Sequence, residues 1–334
     1  MSLSAHELVA GYAGRPLLGP VSIDLQPGDF VCLIGANGVG KSTLIRTLCG
    51  MQETLSGKVC LGCQTITALS AVERAQRLAV VLTEKMTASP MSGRELVQLG
   101  RYPHIGWSAK LHATDQAHVQ HALEQTGALA LAERRISHMS DGERQRIMIA
   151  RALAQHTDVL VLDEATAFLD LPRRIEIMQL LLDLSRRRQL AILLSTHDLE
   201  LALRYADTLW LIDGQRTMHV GAPEDLALHG QLASAFASEG LAFDLESGQL
   251  RMGREGGPPI RLEGEGMAWV WARRALQRAG YRISHDADTA VRVQDAGYVV
   301  HAPNLPTVQF HTLGPLVDYL RHRPAAHHNV AVPS

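Results

Sequence analysis

The sequence has no excess of basic charge: 32 Lys and Arg stand against 34 Asp and Glu, for a formal net charge of -2. Nucleic acid and anionic membrane surfaces call for clustered cations, so neither partner is expected from composition. Cysteine is scarce and badly spread for cross-linking. Cys32, Cys49, Cys60 and Cys63 all lie in the first fifth of the chain, which is not the pattern of a disulfide framework. Cys60 and Cys63 have C-x-x-C spacing, but no second pair completes a tetrahedral zinc site, so they read as ordinary reduced thiols. Long apolar runs are missing too. The longest stretch without Lys, Arg, Asp or Glu, residues 296–317, is interrupted by Pro303, Pro306 and Pro315 and cannot span a bilayer. The N-terminus lacks a basic region followed by an apolar stretch and a cleavage site, so a cytoplasmic chain is expected. What is left is a globular composition, 46% apolar and 20% charged, in 334 residues that predict about two domains.

Residues 29–34 (Asp-Phe-Val-Cys-Leu-Ile) form a short apolar run of the kind found in buried strands. A glycine loop, Gly35-Ala-Asn-Gly-Val-Gly-Lys-Ser42, and a helical pattern over 43–49 follow it. A second apolar run over 158–163 ends on Asp163 and Glu164, and a third over 190–195 ends on Thr196, His197 and Asp198. Helical patterns over 142–155 and 173–188 are long enough for crossovers. Strands that alternate with helices and carry polar residues at their carboxyl ends predict a parallel α/β sheet with its site along that edge. This core is expected to span residues 3–240. After the linker-like residues 253–259, strands over 260–262, 290–293 and 298–301 and helices over 268–279 and 313–321 predict a small α+β unit over 254–323. Residues 324–334 read as a flexible tail.

The glycine loop fits G-x-x-x-x-G-K-S/T in full. Its glycines let backbone N–H groups turn toward phosphates, and the helix start behind them adds a positive dipole end. Lys41 is then expected on the β- and γ-phosphates and the Ser42 hydroxyl on Mg²⁺. Two adjacent carboxylates at a strand end are costly unless a cation or water requires them. Asp163 is the expected Mg²⁺ partner through a water, Glu164 the expected base or polariser of an attacking water, and His197 a partner of the γ-phosphate or that water. Ser140, with Glu143 three residues on, reads as a capping box, and a serine-capped, glycine-bearing helix start at Gly142 is also an anion site.

Together these motifs resemble the nucleotide-binding subunit of ATP-binding cassette transporters. The resemblance implies an α/β P-loop fold with a RecA-like parallel core, an antiparallel β subdomain and a helical signature subdomain. It also implies a head-to-tail homodimer that holds ATP and Mg²⁺ between two copies, docks on an integral-membrane permease at the cytoplasmic face, and serves a solute-binding protein indirectly. In that arrangement the nucleotide lies against Gly35, Asn37, Gly38, Gly40, Lys41, Ser42 and Thr43 of one copy and Ser140 and Gly142 of the other. Tyr12 matches the aromatic that stacks on adenine, its alternative being a surface tyrosine, and Asp170 ends the Phe168-Leu169-Asp170 loop that crosses the dimer interface. Three departures stand out. Thr83 occupies the position of a glutamine that contacts Mg²⁺ and reports to the membrane partner, so Thr83 or Glu84 takes its place. Asp141 and Glu143 replace the commoner Gly and Gln, and Ala165 replaces proline.

Residues 92–107, with Gly100-Arg-Tyr-Pro103 at their centre, are similar to a stretch typical of importers of iron-siderophore complexes, haem and cobalamin. Metal-chelate import is therefore the expected function. An exporter ATPase is the alternative, as is a soluble cassette ATPase acting on nucleic acid or the ribosome, although the long coiled-coil insertion, second cassette or basic face of such proteins is not evident. The histidines at 285, 301, 311, 322, 327 and 328 read as solvated or packed side chains, and residues 186–188 as a solvated helix end.

Overall fold

The computed structural model describes residues 1–334 apart from 83–89, 106–109, 238–240, 246, 247, 253–256, 304 and 323–334. The chain divides into two compact units, Met1–Arg251 and Met252–Ser334.

The first unit opens with the long strands β1 (Leu3–Tyr12) and β2 (Arg15–Leu25), then β3 (Phe30–Gly35), which is buried along its whole length. Helix α1 (Lys41–Leu48) follows, then β4 (Ser56–Leu61), β5 (Gln64–Thr65), α2 (Ala71–Ala75) and β6 (Leu78–Val81). Helices α3 (Gly93–Gln98), α4 (Ala113–Gln125) and α5 (Asp141–Ala154) make up a helical layer. The chain then alternates through β7 (Val159–Asp163), α6 (Leu171–Arg188), β8 (Ala191–Ser195), α7 (Leu199–Tyr205) and β9 (Thr208–Ile212). It ends with β10 (Met218–Gly221), α8 (Pro223–Leu228), α9 (Gln231–Phe236) and the hairpin β11 (Leu241–Asp244) and β12 (Gln249–Met252).

The central sheet has the order β10-β9-β3-β8-β7-β6, and only β10 runs antiparallel to its neighbour. Parallel strands covered on both faces read as continuous apolar runs rather than alternating ones, which is why 29–34, 158–163 and 190–195 stand out in the sequence. One face packs on α3 to α6; the other packs on α1 and the antiparallel sheet β2-β1-β4-β5. A parallel core, an antiparallel sheet and a helical layer are the arrangement that the resemblance implied. The starts of α1, α5 and α6 lie one or two residues earlier than the sequence pattern suggested, because a glycine turn or a side-chain cap fixes them rather than apolar periodicity. Gly40 turns directly into α1, Ser140 caps α5, and Asp170 caps α6 ahead of Pro172.

The second unit contains β13 (Pro259–Glu263), α10 (Gly266–Arg278), β14 (Arg282–Ile283), β15 (Ala290–Gln294), β16 (Gly297–His301), β17 (Val308–Phe310) and α11 (Leu313–Arg321). Its sheet has the order β14-β13-β15-β16-β17. Ile260, Val291 and Val300 from the sheet meet Ala272 and Leu276 of α10 and Leu316 and Leu320 of α11 in a core of their own. No helix among the described residues is long and apolar enough to cross a membrane.

Candidate active site

Three carboxyl ends converge because β8 lies between β3 and β7. Ser195, its last residue, pairs with Leu33 of β3 on one side and Asp163 of β7 on the other. The glycine loop leaving β3, the carboxylates leaving β7 and His197 leaving β8 are thus neighbours by register, although they are far apart in the chain.

The loop itself is shaped by glycine. Gly38 and Gly40 take φ of 79° and 115°, conformations that side-chain-bearing residues rarely adopt. Helix α1 starts at once after Gly40, with no side-chain cap and no acidic residue in its first turn, so its first N–H groups face the loop. Lys41 lies inside the loop, 5% exposed, and its Nζ donates to the carbonyls of Gly35 at 2.8 Å and Ala36 at 3.1 Å. Burial lowers its pKa below the ordinary lysine value, while the carboxylates of Glu164 and Asp163 oppose that shift. Asn37 and Gly38 are exposed, Ser42 is half-buried and Thr43 is buried. The Thr43 hydroxyl donates to Tyr12 Oη at 3.2 Å, which holds a half-exposed aromatic ring beside the loop. A cavity of about 190 Å³ is lined by Gly35, Ala36, Asn37, Thr196 and His197.

Asp163 is buried, and its Oδ1 accepts the Ser195 hydroxyl proton at 2.5 Å. The same Ser195 Oγ accepts the Glu164 N–H at 2.9 Å. One hydroxyl therefore fixes both carboxylate-bearing residues. Glu164 has φ of 50°, a strained conformation for a non-glycine residue, and that backbone turn carries its side chain to His197, where Oε1 lies 2.6 Å from Nε2. Ser195 has no counterpart in the sequence reading. It appears there only as the polar end of an apolar run, and its role comes from register on both sides.

Ser140 and Gly142 lie elsewhere in the unit, at the start of α5. The Ser140 hydroxyl accepts Glu143 N–H at 3.3 Å and Glu143 Oε2 accepts Ser140 N–H at 2.8 Å, closing the capping box. These bonds hold the Glu143 carboxyl below the usual carboxylate range, the Ser140 N–H first, with Arg134 adding to the effect. Asp170 caps α6 through a 3.0 Å bond from Arg173 N–H. Thr83 and Glu84, expected near Mg²⁺, lie outside the described residues. Among the described residues no group of three or more His, Cys, Asp and Glu is placed to hold a metal.

Residues 18–167 match the ABC transporter family. The chain is 38% identical over 225 residues to the achromobactin transport ATP-binding protein of Dickeya dadantii, covering 67% of this chain and 84% of that one. It belongs to the ATP-binding subunits of ABC transporters. As such it is an ATP-binding ATPase that couples hydrolysis to transport. This ABC ATPase is also 35% identical over 236 residues to the cobalamin import ATP-binding protein of Halobacterium salinarum, covering 71% of this chain and 59% of that one. Among solved structures it resembles a chain of an ABC transporter described as of the metal-chelate type, in an inward-facing conformation. That match has a TM-score of 0.62 and 27% identity, and it covers 70% of this chain and 88% of that chain. Residues 256–321 of the ABC ATPase match a second family, the iron ABC transporter C-terminal domain.

Proposed function

We propose that this ABC ATPase powers an importer of metal chelates of the ferric-siderophore or cobalamin type. The observation that carries the ATPase part of the reading is the convergence of Lys41, Asp163, Glu164 and His197 at the carboxyl edge of β3, β8 and β7. The substrate class is supported by the iron-transporter match of residues 256–321 and by relatives named for achromobactin and cobalamin.

In this reading two copies meet head to tail, at the cytoplasmic face of the membrane and beneath a permease fed by a solute-binding protein. The α1 start and the amides of Gly38, Gly40 and Ser42 take the phosphates, Lys41 neutralises the β- and γ-oxygens, and Tyr12 stacks on the base. Ser140 and Gly142 of the other copy face the γ-phosphate, and Asp170 crosses between copies. Glu164 accepts a proton from water as its oxygen adds to the γ-phosphorus and the bond to the ADP oxygen breaks. His197, bonded to Glu164, holds that carboxylate toward the water.

The Ser42 hydroxyl and the Asp163 carboxylate are hard oxygen donors, a set that fits Mg²⁺. Bound there, the ion would spread charge on the transferring phosphoryl group. The substrate class is tested by uptake in cells that lack the gene, using iron-55 siderophores and labelled cobalamin. Uptake of one chelate should disappear and return with wild-type protein but not with Lys41→Ala. Unchanged uptake of every chelate tested would contradict import of this class.

A further inference from the structure

The start of α5 has a conflict of charge. Helix N-termini attract anions, and this one already holds two carboxylates of its own, Asp141 and Glu143, in its first turn, which would repel a phosphate arriving there. Each carboxylate is met by its own guanidinium: Arg144 Nη2 lies 2.5 Å from Asp141 Oδ1, and Arg134 Nη1 lies 2.9 Å from Glu143 Oε1. The Arg144 contact is local, three residues along the same helix. The Arg134 contact reaches in from the preceding loop.

The chain contains an internal control for what such a cap needs. Ser70 with Glu73 on α2 and Ser92 with Glu95 on α3 make the same reciprocal pair of bonds as Ser140 with Glu143. Among the described residues, neither Glu73 nor Glu95 forms an ion pair. The cap therefore closes without an arginine, and Arg134 answers a different need. Its position is fixed from both ends. The Arg134 carbonyl accepts Gly93 N–H at 2.9 Å, and its second guanidinium nitrogen donates to the His138 carbonyl while the first holds Glu143.

We propose that Arg134 is the counter-charge that keeps the Ser140 end of α5 electropositive, so that it can receive the terminal phosphate of ATP carried by a second copy of the chain. It is a positioning residue, acting through Glu143 rather than on the nucleotide. Without it the Glu143 carboxylate would face the phosphate across a closed interface, where water screens repulsion poorly. The inference rests on the head-to-tail reading above.

The test uses the full-length Glu164→Gln chain and reads, by light scattering, the ATP concentration that gives half-maximal dimer. Adding Arg134→Ala should raise that concentration about tenfold, the size expected for losing one short-range counter-charge. Adding Glu143→Gln as well keeps the reciprocal bond and removes the charge, and should bring the value back to within about threefold. Arg134→Lys should retain most of the affinity. A triple variant as impaired as Arg134→Ala would show that Arg134 acts through His138 alone, and no effect of Arg134→Ala would equally overturn the proposal. Ser140→Arg, measured alongside, should abolish the dimer. If it does not, the reading of Ser140 as a phosphate site fails and the role of Arg134 falls with it.

Discussion

Ser195 carries more of the site than its place in the sequence suggests. Its hydroxyl donates to Asp163 at 2.5 Å and accepts from the Glu164 amide at 2.9 Å, so it orients both residues. Removing it leaves a buried carboxylate short of a donor and the strained Glu164 turn short of a tether. Ser195→Ala is expected to lower kcat about tenfold, with a smaller change in KM for ATP, as second-layer hydrogen bonds commonly do. Steady-state ATPase assays check this, and an unchanged kcat would show that register alone positions the pair. Lys41, Ser42, Asp163, Glu164 and His197 were readable in sequence because each sits at a strand end or in a fixed-spacing loop. Ser195 and Arg134 were not: the partners of Ser195 leave the neighbouring strand β7, and Arg134 meets Glu143 nine residues on through a loop turn that no motif spacing marks.

At the scale of elements, the Gly100-Arg101-Tyr102-Pro103 stretch suggested a substrate class through family likeness, but its physical role is to pin the helical layer. Arg101 Nε pairs with Asp115 Oδ1 on α4 at 3.0 Å, and its Nη1 donates to the Ala154 carbonyl at the end of α5 at 2.7 Å. Both members of the pair are about 5% exposed. A Cβ on Gly100 would fall 2.2 Å from the Arg151 carbonyl oxygen, so α5 approaches this backbone too closely for any side chain. Arg101→Ala would strand a buried carboxylate that, among the described residues, keeps the His112 N–H as its hydrogen-bond donor, and it should cost about 3 kcal/mol of stability. Denaturant melts measure it, and a loss under about 1 kcal/mol would mean that water reaches Asp115 freely. In this layer the sequence pattern located α5 and, through Ser140 and Glu143, its cap, but neither α3 nor α4; Asp170, read as an interface residue, also caps α6, which apolar periodicity does not report.

The whole molecule is two units with separate cores, one spread over the parallel sheet and one of about ten residues around Ile260, Leu276 and Leu316. Cores that share no residue can unfold separately. Calorimetry should show two transitions, and deletion of residues 254–334 should remove one while leaving the other within about 2 °C of its original Tm. A single transition lost altogether on deletion would show that the second unit completes the first. The near-balance of charge fits a subunit that docks on protein.

In the proposed function two copies enclose ATP and Glu164 drives its hydrolysis. The most direct test measures the turnover and molar mass of Glu164→Gln with and without ATP. Turnover should fall at least about a hundredfold below wild type, and the mass should double when ATP is added. Wild-type turnover with a mass that ATP leaves unchanged would contradict it.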